Sequence, residues 1–540
     1  MAAYDIVLRG GTIHDGSGNQ PWTGDVAITG DTIVALAPRV ADGGKDEIDV
    51  GGLVVSPGFI NMMSWAPETL IEDGRSMSDV QQGVTLEVMG EGTSMGPLNE
   101  SMRVAMEAHG IADTVGGYRY PVTWRTLGEY LTWLESRGVT PNVASFVGAG
   151  TLRVHEVGFE DRAASPDELR AMCGLLEREM TDGALGVASA LIYPPETSYR
   201  TEELVALASV AGAYGGMYAS HIRSEGSGLL DAVRELIDIA RLAQVRAEIY
   251  HFKAAGSRNW HKLPAAIDLI KEARANGLAI TADVYPYECS GTSLTTCFPP
   301  WAHAGGPDAL RARLAEPSAR ERIRADLRST HWENPFLDAG PENILVSGPL
   351  EPEFADWAGC TLADLARRYE SVPADIAMDL ALRNRGDVFA LFCDIERDDV
   401  RLVAQQPWVS FCSDAESLSS EVAMKRGGIH PRAFGSFARV LGHLVRDEQV
   451  LSLPEAIRRM TSLPAANLGL RDRGLVKVGY VADIVAFEPE SIADHATPQQ
   501  PYRYATGVMH VLVNGAPVLR DGSHTGTQPG RFVRGPGARR

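Results

Sequence analysis

The sequence predicts an α/β fold class: a (β/α)8 barrel with a small β-sandwich domain formed from both chain termini, and an insertion between the last two barrel strands. Three observations predict it. Short β-type runs broken by Gly and Asp cluster at both ends of the 540 residues. Between them, strand and helix signals alternate at about the period of a βα unit. The last two strand signals of that series stand far apart.

The first 50 residues carry β-type runs at 5–8, 10–13, 25–28 and 32–35, and similar runs return at 483–487 and 508–515. A chain that begins and ends in the same pattern can build one β-domain from both ends, expected over 1–56 and 475–540. The barrel is expected over 57–474. Its strand signals lie at 53–55, 84–88, 143–147, 184–187, 216–221, 247–251, 279–283 and 408–411. The long interval before the eighth predicts an inserted cap at about 285–394. After Gln528 the Gly, Pro and Arg content predicts a mobile tail.

An apolar content of 44% suits a sizeable core, and a net charge of −20 argues against nucleic acid or an anionic membrane as partner. Six cysteines at 173, 289, 297, 360, 393 and 412 show no CxxC or Cys/His finger spacing, and they read as reduced, mostly buried thiols. The amino terminus lacks a basic stretch followed by an apolar one, and no run approaches a membrane span. A cytoplasmic protein is expected, and a homo-oligomer stays open. The glycines near Glu91 do not make a dinucleotide fingerprint, and no Gly-x-Ser-x-Gly elbow precedes a plausible His and Asp.

The chemistry starts from His221 and His251, 30 positions apart, each ending a strand-like run with an amphipathic helix at 228–242 between them. Carboxyl ends of neighbouring barrel strands converge on one pocket, so two imidazoles placed there can share a metal ion. Either histidine alone would read as a satisfied structural residue; the matched placement favours ligands. Asp414 follows the last strand signal. It can be a turn or helix-cap residue, or a carboxylate that takes a proton from a metal-bound water and returns it to a leaving amine. Lys253, two residues past His251, points the same way on an extended segment, or is a solvated strand-end charge.

Several motifs then carry a resemblance: Tyr4-Asp5-Ile6-Val7-Leu8-Arg9-Gly10-Gly11, Pro57-Gly58-Phe59-Ile60, Leu191-Ile192-Tyr193-Pro194-Pro195, His221-Ile222-Arg223-Ser224-Glu225-Gly226, Asp283-Val284-Tyr285-Pro286-Tyr287, His430-Pro431-Arg432-Ala433-Phe434-Gly435 and Gly479-Tyr480-Val481-Ala482-Asp483-Ile484-Val485. Over almost its whole length the chain resembles the amidohydrolase superfamily, and within it the N-acyl-D-amino-acid deacylases (D-aminoacylases). The resemblance implies a metal-dependent hydrolase of amide C–N bonds acting on a small-molecule amide, with zinc as cofactor and Asp414 as general base and acid. It also places Lys253, Arg432, Tyr193 and Ser290 near the substrate. A guanidinium such as Arg432 suits a carboxylate.

Two departures alter that picture. Where the family continues Asp-x-His-x-His, this chain reads Asn61-Met62-Met63-Ser64-Trp65. Thioether is a weak ligand and indole offers no lone pair, so the metal position served by those histidines is expected to be missing, with Met62, Met63 and Trp65 packing the barrel mouth. Where the family carries Gly-Asn-Cys-Gly, this chain has Gly90-Glu91-Gly92-Thr93. Two histidines and one Glu are a recurrent catalytic zinc set, so Glu91 is the expected third ligand, Glu87 the alternative and a surface-turn Glu the bland reading. One Zn2+ per chain is expected. Two rivals remain: hydrolysis of another C–N substrate, such as a dipeptide, cyclic amide or xenobiotic amide, and a degenerate barrel that binds amides without turnover. Retention of His221, His251 and Asp414 together argues against the second.

Overall fold

Eight parallel strands line the centre of the computed structural model, which describes residues 3–109, 119–384 and 387–539. They are Phe59–Asn61, Val84–Met89, Asn142–Ser145 continued by Val147–Gly148, Gly186–Ala190, Met217–His221, Arg246–Ile249, Ile280–Val284 and Val409–Phe411. Each pairs in parallel with the next. The ring closes where Asp414 N–H donates to Met63 O at 3.1 Å and Ser413 N–H to Asn61 Oδ1 at 2.9 Å. Strands such as Gly186–Ala190 and Met217–His221 are buried on both faces, as parallel strands covered by helices must be.

The helices follow from local signals. Pro166–Asp182 starts at a Ser165/Glu168 capping box with Pro at its first position and ends at Gly183 in the left-handed conformation. Leu229–Ala243 buries Leu229, Ala232, Val233, Leu236, Ile239, Ala240 and Ala243, one stripe at helical spacing against the barrel.

Between the seventh and eighth strands the chain leaves to form a cap. Its antiparallel strands Ser290–Ser293, Ile344–Gly348 and Phe389–Phe392 carry a separate apolar core that includes Leu294, Phe298, Leu314, Leu362 and Met378. Ser290 lies opposite Phe392 in the ladder, which brings Cys289 and Cys393 together as a disulfide across 104 residues. This corrects the expectation of reduced thiols: sheet pairing, not sequence spacing, makes the two cysteines neighbours. Cys173, Cys297, Cys360 and Cys412 are free.

The terminal strands form one nine-stranded sheet. Val26, Ile28 and Ile33 at one end of it share a core with Ile484, Ala486 and Leu512 towards the other, so the sheet curls upon itself. The expected first barrel strand at 53–55 belongs here: Val54–Pro57 pairs with Ile484–Phe487 and with Thr12 and Ile13. The barrel begins only after Gly58, where a Cβ would meet Thr85 Oγ1 at 2.0 Å. The tail is likewise pinned. Val143 N–H donates to Arg531 O and Val533 N–H to Val143 O, both at 2.9 Å, and Phe532 is buried under the third barrel strand. Those backbone bonds override the tail's loop-like composition. No helix among the described residues is long and apolar enough to cross a membrane.

Candidate metal centre and cavity

His221 ends the fifth barrel strand and His251 follows the sixth. Glu91 follows the second, between Gly90 at φ +105° and Gly92 at φ +62°. A Cβ at Gly90 would strike Phe146 O at 2.3 Å, and one at Gly92 would strike Glu196 Oε1 at 2.6 Å. The two glycines thus let a tight loop turn Glu91 inward. Its Oε1 lies 3.2 Å from His221 Nδ1 and 3.3 Å from His251 Nε2. Among the described residues these three form the one set of His, Cys, Asp and Glu side chains whose ligand atoms gather within 4.8 Å.

The donor set fits a divalent ion. Ligand atoms about 2.0–2.1 Å from a tetrahedral centre stand about 3.3–3.4 Å from one another, close to the observed separations. His251 Nδ1 lies 2.9 Å from Glu225 Oε1, a carboxylate partner that directs the proton to Nδ1 and the Nε2 lone pair toward Glu91. Without a cation the charges lean on one another. Burial opposes it, yet hydrogen bonds from His221 and His251 hold Glu91 at about 2. Burial and Lys253 oppose it, yet Glu225 and Asp414 lift His251 to about 10. Glu225, buried but facing Lys253 and both histidines, stays well below the usual carboxylate range.

Two of these residues are held in unusual backbone conformations. His251 has φ +36° and Asp414 φ +49°, a region that costs a non-glycine residue about 1–3 kcal/mol. His251 N–H donates to Asp283 Oδ1 at 2.6 Å, and Asp414 N–H to Met63 O. Asp414 Oδ1 accepts the Trp65 indole N–H at 3.1 Å, and its Oδ2 lies 2.6 Å from Arg432 Nη1. Burial pushes the Asp414 carboxyl up although Arg432 opposes it.

A cavity of about 220 Å³ joins these groups; Glu91, His221, His251, Asp414, Lys253, Arg432, Tyr193 and Ser290 all line it. The structure thus brings the residues singled out in the sequence to one place, with two differences. Glu87, the alternative ligand, faces away into a buried cluster, accepting from Asn61 Nδ2 at 3.1 Å and Ser76 Oγ at 3.3 Å. The two cations expected near the substrate, Lys253 and Arg432, are already engaged. Lys253 donates to Glu225 Oε1 at 2.6 Å, and Arg432 donates to Gly291 O at 3.1 Å through Nη2 and faces Asp414 as an ion pair through Nη1, with Nε and Nη1 lacking a hydrogen-bond partner. Tyr193 OH bonds Thr292 Oγ1 at 2.9 Å, and Ser290 opens the first cap strand.

Met62 and Met63, expected at the barrel mouth, are buried in the interior core instead, whereas Trp65 lines the cavity, is 39% exposed and holds Asp414. Sequence reasoning missed Glu225, Trp65 and Asp283 as supports of the site. Glu225 lies on the loop after His221, where spacing carries no signal.

A model described as the Amidohydrolase family matches residues 421–519. A D-aminoacylase of Alcaligenes xylosoxydans xylosoxydans is 32% identical over 532 residues, 98% of this chain and 97% of its own. The solved N-acyl-D-glutamate deacylase of Bordetella bronchiseptica, complexed with zinc and a phosphonate mimic of its tetrahedral intermediate, superposes with a TM-score of 0.80 at 27% identity, covering 98% of this chain and 99% of that one. A D-aminoacylase structure concerned with a binuclear metal centre, one-metal activation and second-metal attenuation, superposes at 0.81 with 29% identity over 98% and 100%.

Proposed function

This chain belongs to the D-aminoacylase family of amidohydrolases, and from that premise we propose that it removes the acyl group from N-acyl-D-amino acids using one divalent ion, zinc by the ligand set, bound by Glu91, His221 and His251. The observation that carries the reading is the meeting of these three side chains with Asp414 around one cavity at the carboxyl ends of the barrel strands.

When bound there, the ion supplies Lewis acidity to the amide carbonyl and acidity to a water. The chain does the rest. Asp414, its carboxyl raised by burial and oriented by Trp65, takes the water's proton and delivers it to the departing nitrogen. Tyr193, its hydroxyl pushed above the ordinary range by burial and Glu91, remains a neutral donor toward the developing oxyanion. Arg432, with Nε free of any partner, and Ser290 flank the place for the substrate carboxylate. A single ion rather than two is supported by Met63 and Trp65, which stand where the family carries its two histidines: Met63 is buried in the barrel interior and the Trp65 indole is bonded to Asp414.

Elemental analysis of protein purified without chelator, together with hydrolysis of paired N-acetyl-D- and N-acetyl-L-amino acids, tests the proposal. Close to one zinc per chain and turnover of the D series are expected. Two well-occupied metals would overturn the mononuclear site, and turnover confined to other amides would overturn the substrate class.

A further inference from the structure

We propose that the cap side of this cavity is a subsite for a positively charged group, so that the enzyme selects N-acyl amino acids whose side chain ends in an ammonium or guanidinium. The inference rests on the deacylase reading and adds the substrate class to it. Eight carboxylates and only two fixed cations line the cavity among the described residues. Both cations already face a carboxylate, Lys253 at Glu225 and Arg432 at Asp414, each at 2.6 Å. A divalent ion at Glu91 offsets at most two further charges. Of the five carboxylates left, Asp338 faces Arg258 at 2.8 Å, Glu333 and Asp394 stand with it on the cap wall, and Asp387 and Glu416 also line the cavity.

The three acids differ in what they lack. Glu333 accepts from the Ser224 hydroxyl and from Glu225 and Gly226 N–H at 2.9 and 3.1 Å. Asp338 accepts from Arg258 at 2.8 Å and Asn259 at 3.2 Å. Asp394 is only 6% exposed and lines the cavity, yet its Oδ1 is buried with no partner at all. A buried acceptor without a donor is a costly arrangement that calls for an occupant. Burial, helped by the nearby Glu225 and Asp338, pushes this carboxyl up to about 7 against the pull of Lys253, and a cation beside it would restore the charge.

The occupant is not a second metal, because among the described residues these acids do not gather three ligand atoms within 4.8 Å. A larger cation with several N–H donors can serve carboxylates that stand apart. Phe389 and Phe392, on the same cavity, offer apolar cover for a methylene stem behind the charge. An acidic substrate side chain would instead meet this wall as a like charge.

The test is kcat/KM of the metal-loaded enzyme on N-acetyl-D-lysine, N-acetyl-D-norleucine and N-acetyl-D-glutamate. Lysine should exceed norleucine by about tenfold or more, with glutamate slowest. In Asp394→Asn the lysine-to-norleucine ratio should collapse toward one. Taking the ratio within one protein keeps a partly folded variant from imitating the result, and the wild-type series stands even if the variant does not fold. Equal rates on lysine and norleucine, or a preference for glutamate, overturn the cationic subsite and leave deacylation standing. No turnover of these or of a wider N-acetyl-D-amino acid set overturns both. A ratio unchanged in Asp394→Asn overturns the placement at Asp394.

Discussion

Replacing Glu225 by Gln keeps its shape and removes its charge, and two separate losses should follow. The first concerns Lys253, 2.6 Å away, with the two side chains 7% and 9% exposed. At an effective dielectric of about 20 the gross attraction at that distance is about 6 kcal/mol, most of it offset by desolvation. Removing one partner of such a buried pair costs about 3–5 kcal/mol, because the other charge is stranded. With a melting entropy of about 2.1 cal/mol/K per residue over 540 residues, the metal-free Tm should fall by about 3–4 °C. The second loss is at His251, whose Nδ1 partner sets the ring's tautomer and basicity; such partners are worth about 10–100-fold in metal affinity. Calorimetry of the metal-free protein reads the first, and competition against a chelator of known affinity reads the second. A Tm lowered as stated with an unaltered metal Kd would refute the orienting role, and neither quantity moving would refute the reasoning altogether.

Other variants separate the remaining assignments. Glu91→Gln should strip the purified protein of most of its metal while Glu87→Gln leaves the content unchanged; the reverse pattern would exchange their roles. Asp414→Asn should retain metal yet lose about 10²–10⁴ in kcat, and near-normal turnover would move the proton shuttle elsewhere. Glu179 gives a pH test away from the site. Burial pushes it up to about 7, against the Leu127 N–H that it accepts. The native state therefore binds more protons than the unfolded one between the ordinary Glu value and about 7, and stability is lost as pH rises through that window. Glu179→Gln should lessen the fall in unfolding free energy, read by urea titration, between about pH 5 and about pH 8 by about 2–3 kcal/mol. A wild-type slope in the variant would count against a neutral Glu179.

The barrel and its two histidines were legible because strand ends are fixed by backbone pattern, and the position of a strand end decides where its side chain goes. Asp414 was legible for the same reason, once the eighth strand was found beyond the cap. Glu91 came from chemical substitution, a carboxylate standing where relatives carry a thiolate. Glu225 was not legible as a partner of both histidines: a Glu on a loop has no periodicity, and only the meeting of the fifth and sixth strand ends gives it neighbours. Lys253 and Arg432 were placed near the substrate by resemblance to the family, which says nothing of the anions already beside them. The short run at 53–55 was a true strand attached to the wrong sheet, since pairing partners more than 400 residues away leave no local mark. The Cys289–Cys393 bond escaped for the same reason.

The curled terminal sheet also sets a timetable. Tyr4–Ile13, Trp22–Thr29 and Thr32–Ala37 can pair with one another as soon as they are made. Val54–Pro57 cannot complete its ladder until Ile484–Phe487 arrives, about 430 residues later. At about 5–20 residues per second of synthesis, that edge stays open for about 20–90 s. An unpaired strand rich in valine is a template for other chains throughout that interval. Expression yield of this protein should therefore respond to translation speed and to chaperones that shield strand edges, more than to changes in the stability of the finished fold.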